Sequence, residues 1–179
     1  MLTVLEMNKN KLPIRYISSE MDKNEFRKRF RGFTSKPPSF WQQDEMTDYV
    51  KKSFDLQTVI RQNAINIIDY IEFRGGDYTQ GAEIMAKIHD ALGGKGIAIV
   101  AVQKKQGQQL PRSGDMILEK PRLAVAFSKL PGQDNRGYAT ILKGKAVKAG
   151  KVDGKNLLYE VTGYGSNFSV VTNWGFYRI

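Results

Sequence analysis

Two apolar textures alternate along this chain. Ala64-Ile65-Asn66-Ile67-Ile68-Asp69-Tyr70-Ile71-Glu72-Phe73 and Ile97-Ala98-Ile99-Val100-Ala101-Val102 are near-continuous runs, the pattern of strands buried on both faces of a parallel sheet. Between them Ile84, Ile88, Ala91 and Leu92 recur at helical spacing and Gly93-Gly94 supplies a stop, which predicts a helix over 78–92. Strand, helix and strand in about 40 residues make a βαβ unit, whose crossover is right-handed.

The same reading extends both ways. Leu12-Pro13-Ile14-Arg15-Tyr16-Ile17 is a β-prone run ending in Ser18-Ser19-Glu20, and Phe26 and Phe30 stand at i,i+4 in the polar stretch after it. This predicts a strand and then an amphipathic helix capped by Asp22. Ser35-Lys36-Pro37-Pro38-Ser39 predicts a loop over 32–40, and 44–62 reads as helical or mixed surface structure. Arg74-Gly75-Gly76-Asp77 ends the long apolar run. Lys104 to Gly114 is polar and reads as a mobile loop. Leu123–Phe127 and Ala139–Leu142 read as strands, and Leu157–Val161 with Phe168–Val171 as an antiparallel edge or hairpin. The expectation is one α/β domain.

Composition narrows the chemistry. The 179 residues contain no cysteine and one histidine, so a disulfide framework, a thiolate metal site and a histidine cluster are all excluded. No apolar run approaches the roughly 20 residues a bilayer span needs, and the N-terminal residues lack a signal-peptide layout; a soluble, cytoplasmic protein is expected. The net charge of +10 is uneven: residues 1–103 hold 15 basic and 13 acidic side chains, residues 104–160 hold 12 and 5. A basic region attracts polyanions through counterion release. A solvated basic surface kept for solubility fits the same numbers.

In open α/β sheets ligands sit outside the carboxyl ends of the strands. The polar exits here are Ser18-Ser19-Glu20, Asp69 with Glu72, and Gln103 with Lys104. An Asp there can hold Mg²⁺, a Glu can deprotonate or orient a water, and a Gln can sense a γ-phosphate. Plainer roles stay open. Asp69 fits a turn cap, Glu20 a first-turn carboxylate favoured by a helix dipole, and Glu72 a solvent-facing residue. His89 suits a structural place in its helix, and Lys143, Lys145 and Lys148 the outer face of an edge strand. Trp41, Trp174, Tyr164, Phe168, Phe176 and Tyr177 suit either base stacking or core cover.

These residues in this order resemble the RecA-like ATPase core of the DnaB-type (superfamily 4) replicative helicases, especially their phage relatives, over roughly 12–162. Tyr16-Ile17-Ser18-Ser19-Glu20-Met21 is similar to the strand with the catalytic glutamate, implying Glu20 as general base. Asn66-Ile67-Ile68-Asp69-Tyr70 resembles the Walker B strand, implying Asp69 as the Mg²⁺ partner. Ile99-Val100-Ala101-Val102-Gln103 resembles the motif whose Gln103 couples nucleotide to DNA. Pro111-Arg112-Ser113-Gly114 and Leu118-Glu119-Lys120-Pro121-Arg122-Leu123 are similar to the DNA-facing loop and strand, so the resemblance implies Lys104, Lys105, Arg112, Lys120 and Arg122 as DNA-binding. Lys143, Lys145 and Lys148 fall where the family places basic fingers that reach a neighbouring subunit's nucleotide, although those fingers use Arg, which makes a bidentate fork that Lys does not.

The resemblance implies a three-layer RecA-like core with antiparallel C-terminal strands, ATP and Mg²⁺ as ligands, single-stranded DNA as partner, a homo-oligomeric ring, and a place in replication or recombination. The location it implies is the cytoplasm, that of a bacterial host for a phage protein. The family's GxxxxGK[ST] loop belongs ahead of the first strand, where eleven residues precede Leu12. Gly93-Gly94-Lys95-Gly96 has no Ser/Thr after its Lys and leads into a strand. The expectation is therefore the C-terminal portion of a helicase, N-terminally truncated and a poor catalyst alone. The alternative is a non-catalytic nucleic-acid-binding or assembly module on the same scaffold.

Overall fold

Ile14–Ser18 forms β1 because Ile14, Tyr16, Ile17 and Ser18 are all buried, as a strand flanked on both edges requires. The computed structural model describes residues 12–31, 47–73, 77–145, 150–163 and 167–177. The chain divides into two compact units, Met1–Gln103 and Lys104–Ile179.

The first unit holds a parallel sheet in the order β2-β1-β3-β4, with β2 at Thr47–Lys51, β3 at Ile65–Asp69 and β4 at Ile97–Val100. Ser18 pairs with Asp69 in register, and Ile67 with Ile99. The helix after β1 is α1, Lys23–Arg31. Its start follows the sequence expectation: Asp22 Oδ1 accepts from the N–H groups of Asn24 and Glu25, both at 2.8 Å. The helix between β3 and β4 is α2, Gly81–Ala91, preceded by a 3-10 turn at Tyr78–Gln80. It stops at Gly93, whose φ of 72° suits a residue without Cβ.

Alternation along the strands divides the side chains between two faces. On one, Ile17 and Ile68 pack with Ile88 of α2, with Leu56 from the 3-10 turn Leu56–Val59, and with Ile71; Val50, Ala98 and Val100 border this core. On the other, Tyr16 packs on Phe26 of α1 with ring centroids 4.8 Å apart, and Phe26 lies 5.0 Å from Tyr49 of β2. Asn66, fully buried near the start of β3, accepts from the Arg61 N–H at 2.9 Å and donates to the Arg61 carbonyl at 3.0 Å.

Several expectations change. The 44–62 region contains an edge strand, β2, and a 3-10 turn, because Tyr49 and Val50 each have an apolar neighbour on opposite faces of the sheet. β4 is half covered rather than buried: Ile97 is 48% and Ile99 44% exposed. The loop over 32–40, Arg74-Gly75-Gly76, Trp41, Tyr164, Lys148 and the side chain of Phe30 lie outside the described residues.

The second unit is an antiparallel meander, β5 (Leu123–Lys129), β6 (Arg136–Gly144), β7 (Asn156–Thr162) and β8 (Asn167–Val170). The expected polar loop is folded back on this sheet: Lys104 bridges Pro111, and its Nζ donates to the Gln108 carbonyl and the Ser128 hydroxyl. Gly137 stands against Tyr159, where an added Cβ would come within 2.4 Å of the ring. The C-terminal aromatics do not cover core. Phe168 is 55% exposed, and Trp174, Phe176 and Tyr177 are also exposed. Tyr159 stacks on Phe168 at 5.1 Å and meets Phe127 edge-on at 5.7 Å.

Candidate functional site

The parallel pairing of β1, β3 and β4 brings their carboxyl ends to one rim of the first unit's sheet. There the chain leaves β1 through Ser18-Ser19-Glu20, leaves β3 at Asp69-Tyr70, and leaves β4 towards Gln103. Main-chain bonds fix the exits. The Ser19 N–H donates to the Asp69 carbonyl at 3.2 Å, the Lys52 N–H to the Ser18 carbonyl at 3.0 Å, and the Ile71 N–H to the Ala101 carbonyl at 3.2 Å. Ser18 Oγ accepts from the Met21 N–H at 3.0 Å, turning the chain into α1. The Asp69–Tyr70 peptide bond is cis.

Tyr70 stands beside two of the sequence-predicted residues. Its hydroxyl donates to Glu20 Oε1 at 3.0 Å, and it lines one recess together with Gln103. The hydrogen bond to Glu20 raises the Tyr70 pKa above its ordinary value, helped by partial burial and by the charges of Glu20 and Glu72, while Gln103 pulls it down. Asp69 is half-buried and accepts a hydrogen bond from the Tyr16 hydroxyl. Burial raises the pKa of Tyr49, whose hydroxyl donates to the Met21 carbonyl.

An open recess of about 240 Å³ lies at this rim, lined by Phe54, Tyr70, Ile71, Glu72, Phe73 and Gln103. It is smaller than the roughly 300–1,000 Å³ of pockets that enclose small-molecule ligands. Magnesium bound with a nucleotide takes one or two protein carboxylates plus phosphate and water oxygens, and Asp69 at its strand end fits that demand. Among the described residues no three His, Cys, Asp or Glu gather as a self-sufficient metal site. Gly93-Gly94-Lys95-Gly96 leads into the amino end of β4, the opposite end of the sheet from Asp69.

No family model matches the chain, and no curated protein matches it in sequence. Among solved structures, a KaiC-like protein from the hyperthermophilic archaeon Pyrococcus horikoshii aligns with 92% of this chain and 77% of its own, with a TM-score of 0.61 at 12% identity. The fold is RecA-like. This chain's α/β architecture, a parallel sheet of four strands with a separate antiparallel sheet, is similar to that of the KaiC-like protein.

In this RecA-like chain Glu20, Asp69 and Gln103 occupy one rim. The remaining predicted residues belong to the second unit. Lys143 Nζ donates to the Leu118 and Glu119 carbonyls, and Lys145 Nζ to the Glu119 carbonyl at 3.0 Å. These two lysines close the end of a 3-10 turn, Met116–Leu118. Burial, then the neighbouring Lys145, lower the Lys143 pKa. Lys105, Arg112, Lys120 and Arg122 are exposed, and Lys104 is half-buried on Ser128. His89 is exposed beside Asp90, away from the core side of α2. Sequence reasoning missed Tyr70 and Tyr16. Both stand next to or two residues from a polar strand end, but which carboxylate each hydroxyl reaches follows from strand register, which the residue pattern alone does not give. No helix among the described residues is long and apolar enough to cross a membrane.

Proposed function

We propose that this chain serves an ATP-dependent DNA helicase or related ATPase of RecA-like fold, working on single-stranded DNA in replication or recombination as part of a homo-oligomeric ring. The observation that supports it best is the hydrogen bond from the Tyr70 hydroxyl to Glu20, one residue from Asp69, with Gln103 lining the same recess as Tyr70.

In this reading Asp69 holds Mg²⁺ directly or through water, with the Tyr16 hydroxyl fixing the carboxylate's direction. Bound Mg²⁺ supplies charge neutralisation between phosphate oxygens. Glu20 orients a water and accepts its proton. Gln103, which lines the recess with Tyr70, reports occupancy of the rim to the chain that follows it, which begins with Lys104 and Lys105. Those two, with Arg112, Lys120 and Arg122, supply phosphate contacts to DNA, while Lys143, Lys145 and Lys148 face the nucleotide of a neighbouring subunit.

Hydrolysis of ATP with single-stranded DNA tests this, measured for the chain itself and for a longer polypeptide that adds a phosphate-binding loop. Activity lost in Glu20→Gln and in Asp69→Asn supports the ATPase. A second reading, a nucleic-acid-binding or assembly module without hydrolysis, draws on the excess of 12 basic over 5 acidic side chains in 104–160. Salt-dependent DNA binding with no hydrolysis in either polypeptide, unchanged in both variants, would favour that module and sink the ATPase.

A further inference from the structure

Three rings cross one face of the antiparallel sheet. In register, Phe127 of β5 stands opposite Ala139 of β6, Gly137 opposite Tyr159 of β7, and Val161 opposite Phe168 of β8. Residues two apart along a strand share a face, so Phe127, Tyr159 and Phe168 belong to the same one. Tyr159 reaches across β6. Gly137 leaves it room, since an added Cβ would lie 2.4 Å from the ring, and the Tyr159 hydroxyl donates to the Ser128 carbonyl of β5 at 3.3 Å. That bond holds the middle ring between its neighbours, with centroids 5.7 Å away at Phe127 and 5.1 Å at Phe168. The rings of Tyr159 and Phe168 are within 24° of parallel. Both outer rings, Phe127 and Phe168, are more than half exposed.

Charge on this face has one sign. The four strands hold a single carboxylate, Glu160. It alternates with Tyr159 onto the opposite face, where Arg136 Nε and Asn135 Nδ2 donate to it at 3.0 and 3.1 Å. The ring face carries Lys129, two residues from Phe127, with its side chain 75% exposed. Lys155, across from Ile141 on the same face, sets its Nζ 5.7 Å from the ring of Phe176, itself exposed. Two carboxylates stand nearby in turns. Asp134 lies 3.9 Å from Lys129 Nζ, and Asp153 accepts from the Gly144 N–H.

Rings and cations together select the partner. An apolar protein segment would cover such a face without needing lysines beside it. A single strand of nucleic acid brings flat bases for the rings and phosphates for the ammonium groups. A four-stranded antiparallel sheet with aromatic rings on one face suits two or three unpaired bases. We infer that this face is a base-stacking platform for single-stranded nucleic acid: Phe127 and Phe168 stack on bases, Tyr159 holds the space between them, and Lys129 and Lys155 take flanking phosphates. The inference rests on the proposed function for the choice of a DNA strand, and on the rings and their charge for the site.

Fluorescence anisotropy of a labelled oligothymidylate of about twelve nucleotides tests it on the full chain over a range of salt. Phe127→Leu/Phe168→Leu keeps apolar side chains at both exposed positions and removes the stacking. Affinity should fall at least about tenfold, with the melting temperature and the salt slope unchanged. Phe127→Trp/Phe168→Trp, which restores a ring at each position, should rescue it. Lys129→Ala/Lys155→Ala should instead lower the salt slope. A strand of the same length without bases should bind the native chain as weakly as oligothymidylate binds the leucine variant. Native affinity in the leucine variant overturns the inference; if Lys105→Ala/Arg112→Ala abolishes binding in the same assay, the DNA-facing loop of the proposed function stands without the platform. A native chain that binds no oligothymidylate, or a dimer that buries both rings and takes up none, overturns it too. Binding lost in the leucine variant, with no ATP hydrolysis by any polypeptide, keeps the platform and removes the ATPase reading instead.

Discussion

Tyr70 and Glu20, fifty residues apart in sequence, share a hydrogen bond of 3.0 Å across the exits of β3 and β1. It ties the two strand ends that matter most to the candidate site, and it makes a titratable probe of the rim.

Glu20 keeps the proton on Tyr70, so the folded pKa lies above the unfolded one. Such a group stabilises the fold fully below its unfolded pKa, about 10 for tyrosine, and the contribution is lost as pH rises through the folded value. Denaturant midpoints taken through the alkaline range should fall more steeply for the native chain than for Tyr70→Phe. Glu20→Gln should shift the Tyr70 titration towards the ordinary value, read from tyrosinate absorbance against the matching Tyr70→Phe background. Identical alkaline slopes would contradict the link.

Asp22 gives the opposite sign. The Glu25 N–H, with smaller help from Asn24, Lys51 and Lys28 and against slight burial, lowers its pKa. Its contribution is present above the unfolded value of about 3.9 and disappears as pH falls through the folded value. Asp22→Asn should keep most of the helix at neutral pH, because Asn also caps well, while flattening the acid dependence. Asp22→Ala should lose the cap at every pH. Circular dichroism of the three chains against pH separates these outcomes.

Ile88 is the helix residue that joins α2 to the sheet, 2% exposed among Ile17, Leu56, Ile68 and Ile71. Ile88→Ala should cost about 2–5 kcal/mol, measured by urea unfolding with an unchanged slope. Ile97→Ala, at a half-exposed position, should cost far less.

The apolar row on the antiparallel sheet predicts poor behaviour in solution. Phe127 and Phe168, 53% and 55% exposed, flank Tyr159 and form a contiguous patch of the sort that promotes association. Phe127→Ser/Phe168→Ser should raise the concentration at which light scattering first appears, with the melting temperature little changed. A native chain that stays monodisperse to high concentration would refute this.

Elements with long apolar periodicity were legible from the residues: β3, α2 and β4 with their order, the capped α1, and the four strands of the meander. Three things were not. β2 was hidden because Thr47-Asp48-Tyr49-Val50-Lys51 has too few apolar residues to show its period, and its pairing with β1 comes from tertiary contact. The exposure of Ile97 and Ile99 was hidden because an apolar strand looks the same whether one face or both are covered. The roles of Tyr16 and Tyr70 were hidden because a hydroxyl's partner on another strand depends on register, which pattern alone does not give. Glu20, Asp69 and Gln103 were legible as strand exits because parallel strands deliver their carboxyl ends to one side.

Asn66 fixes how the chain enters β3. Its amide clasps the Arg61 main chain in both directions, so losing that clasp would leave the buried main-chain groups of the entering turn without partners, a cost of about 1–3 kcal/mol per unsatisfied group. Three residues on, roughly 10 Å along the strand, Asp69 inherits that precision. A mutation remote from the rim, Asn66→Leu, would therefore blur where the carboxylate stands while leaving the identity of every rim residue unchanged.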